Sequence, residues 1–373
     1  MKKQTLPYLF LAYCLFITGC RPDERPPLHI PDVYDDSNFY LYATEELQVL
    51  HQFMALMAEA KKGRTTEKLV ELNILNGYYT AGSPSLRDYS TAYYVNRMQG
   101  PTGWMSELSK ASGNLWRPGT VSESGGFYAG YLFNKNGLEP EQVIEKGMYG
   151  AALFNHFLNL AKGEISLETV DRMLASFGAS PEFANSYQAK FHANPDVFCA
   201  SLAASRDKND GQGLYTRIRD NFIKLQAAVK AGADYKKDRD EAILAIKDSW
   251  EKAHFATVVY YCNEAIGLLT KTNTTDAEKA RALHVLSICV GCIHGWRILP
   301  DNHKRIAEYI IDDMLLQLNA PAENACSIWL YVTDPANQIS NLSKIVKTIE
   351  DIYGFTPADM QDFKENWVSK QNR

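Results

Sequence analysis

From about residue 38 onward, apolar side chains recur every three to four residues, and that period confines the chain to helices packed on helices. Leu47, Leu50, Met54 and Met57 repeat in this way up to Gly63, where a helix would end. Residues 66–78 continue the pattern with Leu69, Leu72, Leu75 and Tyr78. A helix over 139–162 opens on Glu139-Pro140-Glu141, with proline well placed in a first turn, and closes at Gly163. Ser166 and Ser180-Pro181 read as further N-caps. The longest periodic run is 238–269. The next, 276–299, follows the polar turn Thr272-Asn273-Thr274-Thr275 and stops at Pro300, and 303–318 and 340–353 complete the chain. Alternating strand-like runs are almost absent, so the sequence predicts an all-α body of helical bundles over 38–373. Residues 80–135, dense in Tyr, Gly, Ser and Pro, are expected to be irregular. A polar zone from about 190 to 214 is the place for a division into halves 38–205 and 206–373. Glu145–Asn155 aligns with Glu251–Tyr261, the acidic, basic, small and aromatic positions coinciding in order. Two amphipathic helices match this well by chance too, so duplication stays open.

The first twenty residues are an address. Met1-Lys2-Lys3, an apolar run from Leu6 to Ile17 and the ending Ile17-Thr18-Gly19-Cys20 make a secretory signal, too short for a membrane span. An aliphatic residue and two small ones ahead of a cysteine resemble the bacterial lipobox, which implies removal of residues 1–19 and lipid on Cys20. Residues 20–37, rich in proline and charge, are expected to be a flexible tether. Asp23 and Glu24 resemble the acidic signal that sends lipoproteins of Bacteroidota to the outer face of the outer membrane. The expected location is therefore the cell envelope, anchored by lipid at the outer membrane and exposed at the surface.

Removing residues 1–19 takes Lys2 and Lys3 with it, and the formal net charge falls from −5 to −7. That acidity argues against nucleic acid as a partner, because phosphate binding needs clustered Lys and Arg, and against a polybasic mode of membrane binding. The membrane is expected as a partner through lipid alone. Cys199, Cys262, Cys289, Cys292 and Cys326 lack the spacing of a disulfide framework and suit buried small hydrophobes. Cys289-x-x-Cys292 is separated from His294 by Ile293, which excludes a covalent haem motif, and no second pair exists to complete a zinc site.

Glu251-x-x-His254 has the spacing with which carboxylate-bridged metal bundles present ligands. The alternative is a core histidine with Glu251 as hydrogen-bond neighbour. Glu145 and His156 share a helix face but lie too far apart for one ion, which leaves interhelical or solvated pairing. The common hydrolase, nucleotide and metallopeptidase signatures are missing. Tyr89, Tyr93, Tyr94 and Tyr128 suit either an exposed platform for sugar rings or core filling.

Three segments resemble an uncharacterised Bacteroidota lipoprotein family that is itself similar to the imelysin-like proteins. They are Gly137–Glu139 with Gln142–Ala151, Trp250–Ala253 with Tyr260-Tyr261, and Ala282–Ser287 with Trp296–Leu299. The resemblance implies two related helical bundles and a link to iron or another metal. Of the matching positions it carries over Glu145, Glu251 and His284 as ligand-binding candidates. The Gly-x-His-x-x-Glu motif of imelysin-like proteins is absent, and Ile288 stands where relatives carry Glu. The expectation is a non-catalytic ligand-binding lipoprotein with a cleft lined by Glu145, Glu251, His254 and His284, the last three being the metal candidates. The rival is a surface lipoprotein capturing glycan or peptide on the four tyrosines.

Overall fold

The computed structural model describes residues 25–186, 194–300 and 303–373. Among these, regular structure is helical except for one antiparallel hairpin, Gly126–Tyr128 with Tyr131–Phe133. The chain is all-α, as its apolar period demands. The 34-residue helix Lys236–Leu269 packs against Leu214–Ala231, Asp276–Gly295 and Pro335–Tyr353, and Asp276–Gly295 in turn packs on Pro140–Met148. Thr275 and Glu278 form a capping box at the start of Asp276–Gly295, and the Ser166 side chain caps Leu167–Phe177. Ser180-Pro181 caps no helix: Gly178 ends the preceding one in the left-handed conformation, and a turn leads to a short 3-10 segment, Ala184–Ser186.

The helix expected over 139–162 is present but changes winding halfway. Pro140–Met148 is α, Tyr149–Phe154 is π, and Asn155–Leu160 is α again. The Ala151 carbonyl oxygen accepts the Thr91 backbone N–H at 2.8 Å, so the altered winding hands an acceptor to a neighbouring segment. Gly147 and Gly150 meet Gly295 here: a Cβ on Gly295 would lie 2.3 Å from the Gly147 carbonyl oxygen, and one on Gly150 would lie 2.6 Å from that of Gly295. Two helices thus touch backbone to backbone.

Residues 80–135 are more regular than expected and include helices Ala92–Gln99 and Trp104–Ala111, the first capped by the Thr91 side chain. Aromatic rings from the two sides of the expected boundary at residue 205 pack against one another. Phe154 and Phe157 lie 5.2 and 5.5 Å from Trp250, and Phe154 lies 4.6 Å from Trp296. The free tether needs correction over residues 25–37. The buried Tyr34 hydroxyl donates to Asp171 at 2.5 Å, Asp35 N donates to Gln226 at 2.8 Å, and Arg25 pairs with Asp238 at 2.9 Å. One aromatic that finds a slot in the body holds the segment down. Cys20, Asp23 and Glu24 lie outside the described residues. No helix among the described residues is long and apolar enough to cross a membrane.

Candidate functional site

Three departures from ordinary local structure converge on one pocket of about 360 Å3 between the π segment, the helix Phe198–Ser205 and the helix Lys236–Leu269. The π turn is the first; such insertions gather at functional sites. The second is Phe198, a bulky residue held at φ +47, where its Cβ is sterically disfavoured. Its ring stacks 4.3 Å from Phe53 and meets Tyr149 at 5.9 Å, so packing enforces the strained backbone.

The third is a buried polar set. Lys146 Nζ donates to Glu145 Oε1 at 2.6 Å and to the Tyr149 hydroxyl at 3.1 Å, and that hydroxyl donates to Glu145 Oε1 at 2.9 Å. Burial alone would raise the Glu145 carboxyl, but the Lys146 ammonium, helped by Lys61 at 3.9 Å, holds it down to about 2. Lys146 is correspondingly pushed well above the usual lysine range by Glu145, against the opposing effect of burial. Both groups are therefore ionised across ordinary pH. Tyr261, Thr257, Ser201, Ser205, Asn366 and Arg206 contribute the rest of the polar wall. Asp196 also lines the pocket; Asn185 Nδ2 at 2.8 Å and the Tyr215 hydroxyl at 2.5 Å both donate to its Oδ2, and its Oδ1 is buried without a partner.

Of the expected residues, Glu145 alone lines this pocket. Glu251 is bound elsewhere: it accepts the backbone N–H groups of Arg305 and Ile306 and the Tyr353 hydroxyl at 2.8–3.1 Å. It makes no hydrogen bond with His254, whose Nε2 lies 3.0 Å from the Cys292 carbonyl oxygen. Burial pushes that ring down to about 4, so it is neutral near pH 7. His284 sits eight residues back along the same helix from Cys292, roughly 12 Å of helix axis, with Nδ1 2.5 Å from Glu139 Oε2. Glu251, His254 and His284 thus serve three separate neighbourhoods. Among the described residues no group of three or more His, Cys, Asp or Glu could hold a metal ion.

His284 belongs to a second buried polar cluster. Arg64 reaches Glu139 at 3.0 Å and Glu141 at 2.7 Å, and the His284 ring stacks 4.5 Å from Tyr131. Burial pushes Glu139 up to about 8 and Glu141 up to about 7, against the pull of Arg64, and drives His284 down to about 3. His156 pairs with Glu46 at 2.8 Å instead of with Glu145.

The exposed tyrosine platform is not formed. Tyr89, Tyr94 and Tyr128 are buried and Tyr93 is half-buried. Their hydroxyls are taken by Glu46, the Val143 carbonyl oxygen, Asp276 and His294 respectively, so these aromatics fill the interior with a satisfied polar tip. Cys199, Cys262, Cys289 and Cys292 are buried free thiols, with Cys262 and Cys289 Sγ 3.8 Å apart. Sequence reasoning passed over Lys146, Tyr149 and Arg206. The first two stand within a turn of Glu145 and could have been found from it, whereas nothing local marks Arg206.

No family model, no curated protein and no solved structure matches this chain.

Proposed function

We propose that this chain is an envelope lipoprotein, anchored through Cys20, that captures a small polar ligand in the Lys146–Tyr149 pocket and performs no chemistry on it. The carrying observation is the coincidence, in one pocket of about 360 Å3, of the π turn, the strained Phe198 and the buried Glu145–Lys146–Tyr149 set. Strain and buried charge reduce stability, and both are ordinarily retained where a ligand uses them. Capture without turnover is favoured by what the hydroxyls do. Ser205 donates to the Ser201 carbonyl oxygen and Thr257 to that of Ala253, so neither is activated by a base. Lys146 is held protonated and is no nucleophile. The lipobox supplies the envelope location, and the resemblance to Bacteroidota lipoproteins points the same way.

The test is recovery of the ligand. Full-length protein extracted from membranes in mild detergent should release a small molecule on denaturation, detected by mass spectrometry. Ser201→Trp, which places an indole in the pocket, should be folded and empty. Equal recovery from both proteins would sink the reading.

A further inference from the structure

We infer that the ligand is an oxyanion, a carboxylate- or phosphate-bearing molecule that supplies the negative partner Arg206 lacks; the inference rests on the pocket being the ligand site. Among the described residues Arg206 is the arginine that is fully buried, with 4% of its surface exposed. Its guanidinium lies 3.7 Å from the centroid of the Tyr260 ring, and its hydrogen bond among the described residues runs from Nη1 to the Phe363 carbonyl oxygen at 3.1 Å. Nε is buried with no partner. No carboxylate lies within ion-pairing distance of it among the described residues.

Four arginines nearer to water are treated differently, although the half-buried Arg97 and Arg373 also have a buried Nε with no partner. Arg64 has Glu139 and Glu141, Arg172 has Glu45 and Glu46, Arg281 has Glu264, and Arg297 has Asp312 and Glu323. The fold thus gives carboxylates to four partly exposed guanidinium groups and none to Arg206, which is more deeply buried than Arg97 or Arg373. A buried cation without a counter-charge is costly, and a guanidinium matches the two oxygens of a carboxylate or phosphate. Burial pulls Arg206 down to about 10, against the opposing effects of Tyr261, Tyr260 and the more distant Glu264.

The rest of the wall fits the same ligand. Lys146 adds a second cation with one N–H beyond those given to Glu145 and Tyr149. Ser201, Tyr261 and Asn366 add neutral polar groups. Of the two carboxylates in the wall, Glu145 is occupied by Lys146 with Tyr149, whereas Asp196 takes Asn185 and Tyr215 on Oδ2 alone and its buried Oδ1 has no partner, so the oxyanion is expected at the Arg206 and Lys146 side.

The experiment compares full-length wild type with Arg206→Met and Ser201→Trp in detergent, following thermal unfolding with inorganic phosphate, succinate, citrate or uncharged glucose. Wild type should be stabilised saturably by an oxyanion and not by glucose. Phosphate alone acting would identify a phosphate ligand; succinate or citrate alone would identify a carboxylate. Arg206→Met should weaken that binding at least about tenfold and, without ligand, should melt no lower than wild type, because it removes an unbalanced buried charge. No response to any oxyanion, or an equal response in Arg206→Met, would overturn the inference. A drop in melting temperature of ligand-free Arg206→Met, with oxyanion binding intact, would make Arg206 structural and overturn it equally. If an uncharged ligand is recovered from wild type and lost only in Ser201→Trp, the pocket reading survives and the oxyanion does not. If Ser201→Trp retains the ligand, the pocket itself is wrong.

Discussion

Glu145–Asn155 and Glu251–Tyr261 share an order of acidic, basic, small and aromatic positions, and both reach the same pocket: Glu145, Lys146 and Tyr149 from one side, Thr257 and Tyr261 from the other. Their backbones differ. The first passes from α to π at Tyr149, while the second lies inside an unbroken α-helix. Their charges differ with them. Lys146 pairs with the adjacent Glu145, whereas Lys252 turns back one helical turn to Asp248 at 2.7 Å. Tyr149 gives Glu145 a hydroxyl; its counterpart, Phe255, has none to give. Glu251, with no lysine partner, takes the hydroxyl of the distant Tyr353 and the backbone amides of Arg305 and Ile306, and anchors a loop. A paired adjacent lysine and one looser turn separate a charged pocket wall from a structural carboxylate.

The largest test of this contrast is Lys146→Met. Removing one partner of a buried pair leaves Glu145 ionised and unbalanced, so urea unfolding should show a loss of about 3–5 kcal/mol. Adding Glu145→Gln should recover most of it. Lys252→Met, which breaks a half-exposed pair with Asp248, should cost less than about 1 kcal/mol. Equal costs at the two lysines would break the comparison.

Much of the framework is legible because one face of each helix must be apolar: 139–162, 238–269 and the start of 276–299 can be read from period and caps alone. The π turn is not, since Tyr149–Phe154 is apolar on every side and buried throughout, and an extra residue of winding leaves no break in such a run. The tyrosines mislead because the same amphipathic ring serves a sugar platform or a core, and burial of Tyr94 beside Gly147 is settled by a distant helix. Glu251-x-x-His254 has metal-site spacing, but its carboxylate is claimed by amides 54 and 55 residues away. Arg206 carries no local signal, because what distinguishes it is a partner the fold omits.

A smaller effect is expected at Glu251. Glu251→Gln keeps the shape but replaces an acceptor-only group facing three donors, at a cost of about 1–3 kcal/mol. Ligand recovery should be unchanged, because Glu251 does not line the pocket. Loss of the ligand at unchanged stability would join the two segments functionally and dissolve the distinction between them.

The subtlest test is the acid limb of stability, where the two glutamates should tilt in opposite senses. The Glu145 carboxyl is held down to about 2, so its stabilisation is complete above the unfolded value near 4.5 and is lost as pH falls from there toward 2. Burial raises Glu251 in spite of its amide and Tyr353 donors, so the folded protein holds that proton more tightly than the unfolded chain. Its contribution is present below the unfolded value and declines as pH rises through the folded one. Each proton changes the slope by at most about 1.4 kcal/mol per pH unit. In urea titrations between pH 2 and 6, Glu145→Gln should flatten the acid loss relative to wild type and Glu251→Gln should steepen it. Parallel profiles for the two variants would mean that Lys146 does not single out Glu145, and the charged wall on which ligand capture depends would go with it.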